Sequence, residues 1–163
     1  MPAASTEPRP TRTDTRVNPL EMTGLELVQA MVDGTFPHPS MADTIPMRAV
    51  ETRRGYVKFT VRADGRHLNP LGGVHGGFAA TVLDSVTGCS LHTLLEAGLG
   101  YGTVDLNVKM LKAIPLDEEL IAEGRVLHVS RNLGVAEGSL RNGAGTLLAH
   151  ATCTCAILRN PAV

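Results

Sequence analysis

Residues 69–95 read NPLGGVHGGFAATVLDSVTGCSLHTLL, and this stretch decides the fold. From Phe78 onward it is apolar or small at nearly every position, and no proline interrupts it. A solvated helix would carry a charged face, and this run has none. The pattern therefore predicts a helix of about five turns that is buried on all sides, with the rest of the chain folded around it.

One carboxylate, Asp84, lies inside the predicted helix and is the only acidic residue between His75 and His92. Burying an ionised carboxylate without a partner costs several kcal/mol or forces its protonation. Aspartate is also a mediocre helix former, so local propensity does not explain its position. A structural hydrogen bond to a neighbouring strand is one interpretation. We favour the other, in which Asp84 is a general base or a nucleophile.

Glycines crowd the segment that leads into the helix. The first-turn N–H groups of a helix have no partner within the helix, and the helix dipole adds partial positive charge there. A carbonyl that develops into an oxyanion would be stabilised at such a place. The alternative is a turn that merely permits tight packing. The glycines concerned are Gly72, Gly73, Gly76 and Gly77.

The spacing between Gly76 and Asp84 bears on how a site could be assembled. The two residues are eight positions apart, which is about 12 Å along a helix axis at roughly 1.5 Å per residue. One carbonyl carbon cannot touch both within a single helix. If both act on one substrate, one of them must come from a second copy of the chain, so the spacing predicts a site shared across a homodimer.

The remaining sequence predicts mostly strands. One helix is expected at residues 23–34, where Thr23 can cap its start and Gly34 its end. Antiparallel strands around one buried helix give an α+β domain, expected to span residues 19–163. Residues 1–18 have no apolar period and are expected to be disordered. The predicted strands are residues 44–52, 55–63, 103–110, 119–129, 133–141 and 146–158.

Composition excludes several function classes. The net charge is −1, which gives no reason to expect binding to nucleic acid or to an anionic membrane. Aromatic residues make up 3% of the chain, too few for base-stacking platforms. Cys153 and Cys155 would share a strand face, which suits a disulfide poorly. Reduced cysteines and the lack of an apolar stretch in residues 1–18 predict a cytoplasmic protein, and no metal site is expected.

The pattern Asn-x-x-Gly-x-x-His-Gly-Gly, followed by Asp seven residues after the last Gly, resembles the PaaI-like group of hotdog-fold acyl-CoA thioesterases. Residues 69–84 carry this pattern, and TVDL at residues 103–106 resembles the strand that follows the helix in that group. The resemblance covers roughly residues 40–158. It implies a hotdog fold, in which an antiparallel β-sheet wraps around a long central helix. It also implies hydrolysis of acyl-CoA to a free acid and CoA, with coenzyme A as part of the substrate and no separate cofactor.

The resemblance implies catalytic roles for four residues. Asp84 would be the catalytic carboxylate, and the backbone N–H of Gly76 would polarise the thioester carbonyl. Asn69 would hold the carbonyl or the attacking water, and Thr103 would assist that water. In this group the Asp and Thr come from one subunit and the Asn and Gly from the other. This agrees with the homodimer predicted above, and two such dimers would pair into a tetramer.

Three further residues are expected to contact the substrate. His75 and Gly77 lie where the helix begins, and His75 is interpreted as an organiser of the loop rather than as a base. Arg131, in a predicted turn, would meet the phosphates of CoA. Simpler interpretations remain open, since Asn69 precedes a proline and would suit a turn, and Thr103 is a common residue at the start of a strand.

Two other functions compete with thioester hydrolysis. A hotdog dehydratase or hydratase would act on acyl thioesters with a histidine in a proline-containing loop, and this chain lacks that pattern. A non-catalytic acyl-CoA-binding module would not need Asp84. Within the thioesterase hypothesis, acyl-group specificity is expected to depend on walls near Leu71, Phe78 and Leu91 and on the N-terminal segment.

Overall fold

The computed structural model describes residues 17–159 of the 163. The predicted disordered segment, residues 1–18, falls almost wholly outside this range, and Asn18 caps a short 3-10 turn at Pro19–Glu21. The assignment of residues 19–163 to one domain stays a prediction. Within residues 17–159, no helix combines the length and the apolar character needed to cross a bilayer.

The described part of the chain contains three α-helices, two short 3-10 helices and six strands. The helices are α1 at Gly24–Val32, α2 at Met41–Thr44 and α3 at Gly76–His92. The strands are β1 at Met47–Arg53, β2 at Tyr56–Arg62, β3 at Leu99–Met110, β4 at Glu119–Val129, β5 at Leu133–Arg141 and β6 at Leu147–Arg159.

All six strands form one antiparallel sheet in the order β1-β2-β4-β5-β6-β3. The strand that follows α3 in the chain, β3, therefore lies at an edge and pairs with the last strand. The long helix packs across one face of the sheet, mainly on β4 and β5. This arrangement confirms the predicted hotdog fold of the α+β class.

Helix α1 is fixed at its start beside the end of α3. The Thr23 hydroxyl accepts from the Glu26 N–H, and the Glu26 carboxylate accepts in return from the Thr23 N–H at 2.8 Å. The Gly24 N–H then donates to the carbonyl of Leu95 at 3.0 Å. This capping box stabilises the first turn. Helix α1 lies over β1 and beside α3, where it forms one wall of the pocket described below.

Helix α3 is not buried on all sides in a single chain, so that part of the sequence prediction is wrong. The sheet covers one side of the helix, and residues such as Val82, Leu83 and Val86 are fully buried there. The opposite side carries a stripe of half-buried residues at helical spacing. Asp84 lies in the middle of this stripe, so its carboxylate is within reach of a ligand. The stripe consists of Ala80, Thr81, Asp84, Ser85, Cys89 and His92.

The approach of α3 to the sheet depends on Gly124 in β4. A Cβ atom added at this position would lie 2.1 Å from the carbonyl oxygen of Val86 and 2.5 Å from its carbonyl carbon. Both atoms belong to the helix backbone, so no change of side-chain rotamer could relieve the contact. The absence of a side chain at residue 124 thus sets how closely the middle of α3 lies on β4.

Candidate functional site

Asp84 and Thr103 meet at the centre of the candidate site. The Thr103 hydroxyl donates to Oδ1 of Asp84 at 2.8 Å. Asp84 comes from the half-buried stripe of α3 and Thr103 from the edge strand β3. The structure therefore brings together two of the four residues predicted to be catalytic. The bond fixes one carboxylate oxygen and leaves the second oxygen for another partner.

A β-bulge directs Thr103 toward the helix. Thr103 pairs with Cys155 and Asp105 with Thr154, so Val104 is an extra residue in β3. The alternation predicted for residues 103–110 would put Thr103 on the face opposite Leu106. Because the extra residue shifts the alternation by one, Thr103 and Leu106 instead face α3 together. Bulges commonly re-aim a side chain next to a functional site, and local alternation in the sequence did not reveal this one.

Two cysteines lie behind the Thr103 hydroxyl. The Sγ atoms of Cys155 and Cys153 are 3.9 Å and 4.0 Å from Oγ1 of Thr103, and 3.5 Å from each other. Both are free and almost fully buried. The hydrogen bond shared with the neighbouring Cys153 and burial both raise the pKa of the Cys155 thiol. Cys155 therefore stays protonated and backs the Thr103 hydroxyl with weakly polar sulfur.

The loop before α3 is closed by Asn69. Its side-chain oxygen accepts from the N–H groups of Leu71 at 2.9 Å and Gly73 at 3.2 Å. Its own N–H donates to the Gly73 carbonyl at 2.7 Å. The oxygen of the side chain is thus occupied in shaping the loop. Within residues 17–159, the side-chain amide nitrogen has no hydrogen-bond partner, so it remains available to a ligand.

His75 caps the start of α3. Its Nδ1 accepts from the Gly77 N–H at 2.8 Å, so the neutral ring carries its proton on Nε2. This geometry agrees with the interpretation of His75 as a loop organiser. The Gly76 N–H, in contrast, faces no acceptor in the described part of the chain. Of the two glycines predicted to contact substrate, Gly76 has its N–H free, while the role of Gly77 stays a prediction.

The two groups of predicted residues lie apart in one chain. Gly76 and Asp84 are eight residues apart on one continuous helix, a separation of about 12 Å. The side chain of Met110 lies against Gly76 at the start of α3, since a Cβ added at residue 76 would be 2.6 Å from the Met110 sulfur. A cavity of about 360 Å³ adjoins this helix end. One chain therefore holds two separate halves of the predicted site. Asp84 and Thr103 form one half at the middle of α3, and Asn69 and Gly76 form the other at its start.

Arg131 lies in the turn between β4 and β5 and is exposed. The neighbouring Asn132 carbonyl accepts from the N–H of Ile157, which pairs with Tyr101 in β3. The turn is therefore at the same end of the sheet as Thr103. A contact between Arg131 and the phosphates of CoA stays a prediction.

An apolar pocket of about 240 Å³ opens beside Asp84. The expected specificity walls at Phe78 and Leu91 are wrong, because both residues are core residues with 2% and 0% exposure. The sequence showed the amphipathic pattern of α1, but it did not show that the apolar side of this helix would face α3. The pocket is lined by Val28, Met31, His38, Pro39, Met41, Ala42, Met47, Phe59, Asp84, Ser85, Cys89, His92 and Tyr101.

Asp84 is the only acidic residue in this lining. Burial lowers the pKa of His92, and burial together with the charge of Arg48 lowers the pKa of His38. Both histidines are therefore neutral at pH 7. Burial raises the pKa of the Cys89 thiol to about 11, so it is neutral as well. The lining of the pocket is thus largely uncharged apart from the Asp84 carboxylate.

Residues 71–149 match the family model described as the thioesterase superfamily. Among curated relatives, mouse acyl-coenzyme A thioesterase 13 is 30% identical over 82 residues, which cover 50% of this chain and 58% of that protein. The match thus spans little more than half of that relative.

Two solved structures extend the similarity. A phenylacetic acid degradation-related protein from Ralstonia eutropha is 30% identical, with a TM-score of 0.73 and coverage of 80% of this chain and 98% of that one. A hypothetical thioesterase protein from Streptococcus pneumoniae, crystallised with coenzyme A, is 28% identical, with a TM-score of 0.65 and coverage of 71% of this chain and 91% of that one. Residues 71–149, which the family model matches, contain most of the loop before α3 and all of the helix.

Proposed function

Because the chain belongs to the thioesterase superfamily, we propose that it hydrolyses an acyl-CoA thioester to the free acid and CoA. The observation that carries the proposal is the Asp84 carboxylate, which is held by the Thr103 hydroxyl at 2.8 Å at the edge of an apolar pocket. A carboxylate oriented by a hydroxyl and open on one side suits a general base or a nucleophile.

Two routes use this carboxylate. As a general base, Asp84 takes a proton from water while the water oxygen bonds to the thioester carbon. The tetrahedral intermediate then expels CoA as a thiolate, which recovers the proton from Asp84. As a nucleophile, Asp84 attacks the carbon itself, CoA leaves, and water hydrolyses the resulting anhydride. Both routes develop negative charge on the carbonyl oxygen and need a donor there.

The donors for that oxygen would come from the start of α3. The Gly76 N–H points out of the first helical turn without an acceptor in residues 17–159, where the helix dipole also favours negative charge. The free amide nitrogen of Asn69 would bind the same oxygen or the attacking water. Removing one such donor typically costs about 10²-fold or more in kcat.

We propose that these donors act on the same thioester as the Asp84 of a second copy of the chain. The separation of about 12 Å along α3 rules out a shared carbonyl within one chain. The edge strand β3 also exposes apolar side chains, with Val104 at 63% and Met110 at 56%. A second chain seated there would cover them. Each site would then combine Asp84 and Thr103 of one chain with Asn69 and Gly76 of the other, and a tetramer of such dimers stays a prediction.

A panel of thioesters tests the function. We expect free thiol to be released from at least one CoA ester in a series from acetyl-CoA to palmitoyl-CoA that includes phenylacetyl-CoA. Thiol release is followed with a thiol-reactive dye. Protein carrying Asp84→Asn, purified in the same way, serves as the control for contaminating thioesterases.

The competing functions give different results in the same panel. A hydratase would remove the absorbance of an enoyl-CoA without releasing thiol. A binding module would bind acyl-CoA, measured by calorimetry, and turn over none of the esters. Either result would contradict the proposed hydrolysis.

Mixing two inactive variants tests the shared site. Asp84→Asn removes the carboxylate charge, and Asn69→Asp keeps the side-chain oxygen that closes the loop while removing the amide donor. By random pairing of exchanging subunits, about half of the dimers are mixed, and each mixed dimer has one intact site. We expect the mixture to recover roughly a quarter of wild-type kcat, measured after exchange is verified by mass spectrometry.

The residual activities of the two variants are measured separately as the baseline. Activity that stays at the average of these two values after complete exchange would contradict a site made from two chains.

A further inference from the structure

We infer that Tyr101, seated on Gly88, limits the length of the acyl group that the pocket accepts. The inference deepens the proposed function and rests on it. Tyr101 belongs to β3, on the same side of the bulge as Thr103, and its side chain forms one wall of the 240 Å³ pocket beside Asp84.

The pocket follows the half-buried stripe of α3. Asp84 and Ser85 line it first, Cys89 lies five residues further and His92 eight residues further than Asp84. These spacings correspond to about 7.5 Å and 12 Å along the helix axis. A thioester whose carbonyl lies at Asp84 can extend its acyl group along this stripe. The Tyr101 ring lies about one turn beyond Asp84, where it meets that path.

The Tyr101 ring is held by its neighbours rather than free to turn aside. Its hydroxyl is 4.0 Å from the sulfur of Cys89, and its ring centroid is 5.5 Å from that of His92 in a tilted arrangement. The charge of a Cys89 thiolate and burial would both raise the pKa of Tyr101 well above its usual value. The phenol is therefore neutral, and the wall is an uncharged surface suited to stop an aliphatic or aryl group.

Gly88 determines where the ring lies. A Cβ added at residue 88 would be 2.4 Å from Cε2 of Tyr101 and 2.8 Å from its hydroxyl oxygen. The ring occupies space that any other residue at position 88 would take. A methyl group there would push the ring toward the pocket, whereas removal of the ring would lengthen the pocket. The two substitutions should therefore change chain-length preference in opposite directions.

The test compares four variants on the same series of acyl-CoA esters. One methylene more or less in an apolar pocket changes kcat/KM by about 10- to 200-fold. For Tyr101→Ala we expect the ratio of kcat/KM for long over short acyl groups to rise about tenfold or more. For Gly88→Ala we expect it to fall by a similar factor. Tyr101→Phe keeps the ring and should retain the wild-type ratio.

The double variant Gly88→Ala/Tyr101→Ala makes the test sharper. With the ring gone, the added methyl group has nothing to displace, so the double variant should show the long-chain preference of Tyr101→Ala alone. If the two substitutions acted independently, their opposite effects on the ratio of kcat/KM for long over short acyl groups would cancel. The double variant would then show a ratio close to that of the wild type. The two single substitutions at Tyr101 carry the test even if Gly88→Ala does not fold, which a thermal midpoint for each protein reveals.

The outcomes separate this inference from the proposed function. A parent protein that hydrolyses thioesters while Tyr101→Ala keeps the parent's chain-length profile would overturn the inference alone. A profile changed equally by Tyr101→Phe would also overturn it, since the hydroxyl would then be the determinant. A parent that releases thiol from no ester would overturn the proposed function and this inference with it.

Discussion

Asp84→Asn is expected to lower kcat on the best thioester by about 10²-fold or more, because a positioned acid or base typically contributes 10²- to 10⁴-fold. The substitution keeps the shape of the side chain and an oxygen that can accept from the Thr103 hydroxyl. It removes the negative charge, and with it the ability to take a proton or attack a carbonyl. Steady-state thiol release gives kcat, and circular dichroism with a thermal midpoint verifies the fold.

Asp105→Asn provides the matched control. Asp105 lies in the same strand as Thr103, but it is exposed and pairs with Thr154, beyond the bulge. The same chemical change at this position should leave kcat within about twofold. If Asp84→Asn kept half of the wild-type activity, Asp84 would be neither the base nor the nucleophile.

Gly124→Ala is expected to lower the free energy of unfolding by about 3 kcal/mol or more, at or above the upper end of typical overpacking effects. The added methyl group would lie 2.1 Å from the carbonyl oxygen of Val86. Relief requires α3 to move away from β4, because the contact is with helix backbone. Since domains are typically stable by about 5–15 kcal/mol, the loss would be a large share of the total. Denaturant unfolding at equilibrium measures it.

Gly143→Ala is the control for this substitution. A Cβ at residue 143 meets nothing within 4 Å, and its φ lies outside the left-handed region. We expect a change within about 0.5 kcal/mol, as for most surface substitutions. Equal effects of the two alanines would mean that the contact with Val86 does not explain the loss of stability.

The sequence predicted the regular elements well where its pattern was strong. The strands at 119–129 and 133–141 have the bounds predicted for them, and α3 covers the run from which the prediction started. Alternation and helical period are local properties, so they can be read without knowledge of the partner elements. The hotdog arrangement itself came from the resemblance carried by residues 69–84.

The parts of the site that the sequence did not predict depend on contacts between elements that are distant in the chain. The bulge at Val104 is set by pairing with β6, and nothing in residues 103–110 alone distinguishes it from regular alternation. The half-buried side of α3 is decided by how far the sheet reaches around it, whereas its composition suggested burial on every side. Tyr101 became a pocket wall through its contact with Gly88, thirteen positions earlier in the chain.

The bulge at Val104 has a consequence for how this gene tolerates in-frame changes. Thr103 and Tyr101 both lie on the same side of the extra residue, and both face α3. Loss of the single codon for Val104 would restore regular pairing with β6. The pairs on both sides of the bulge would keep their partners, Cys155 for Thr103 and Ile157 for Tyr101, so both side chains would still face α3. A point substitution at Thr103 or Tyr101 removes one of these side chains, whereas this deletion would keep both in the site and leave the sheet fully paired.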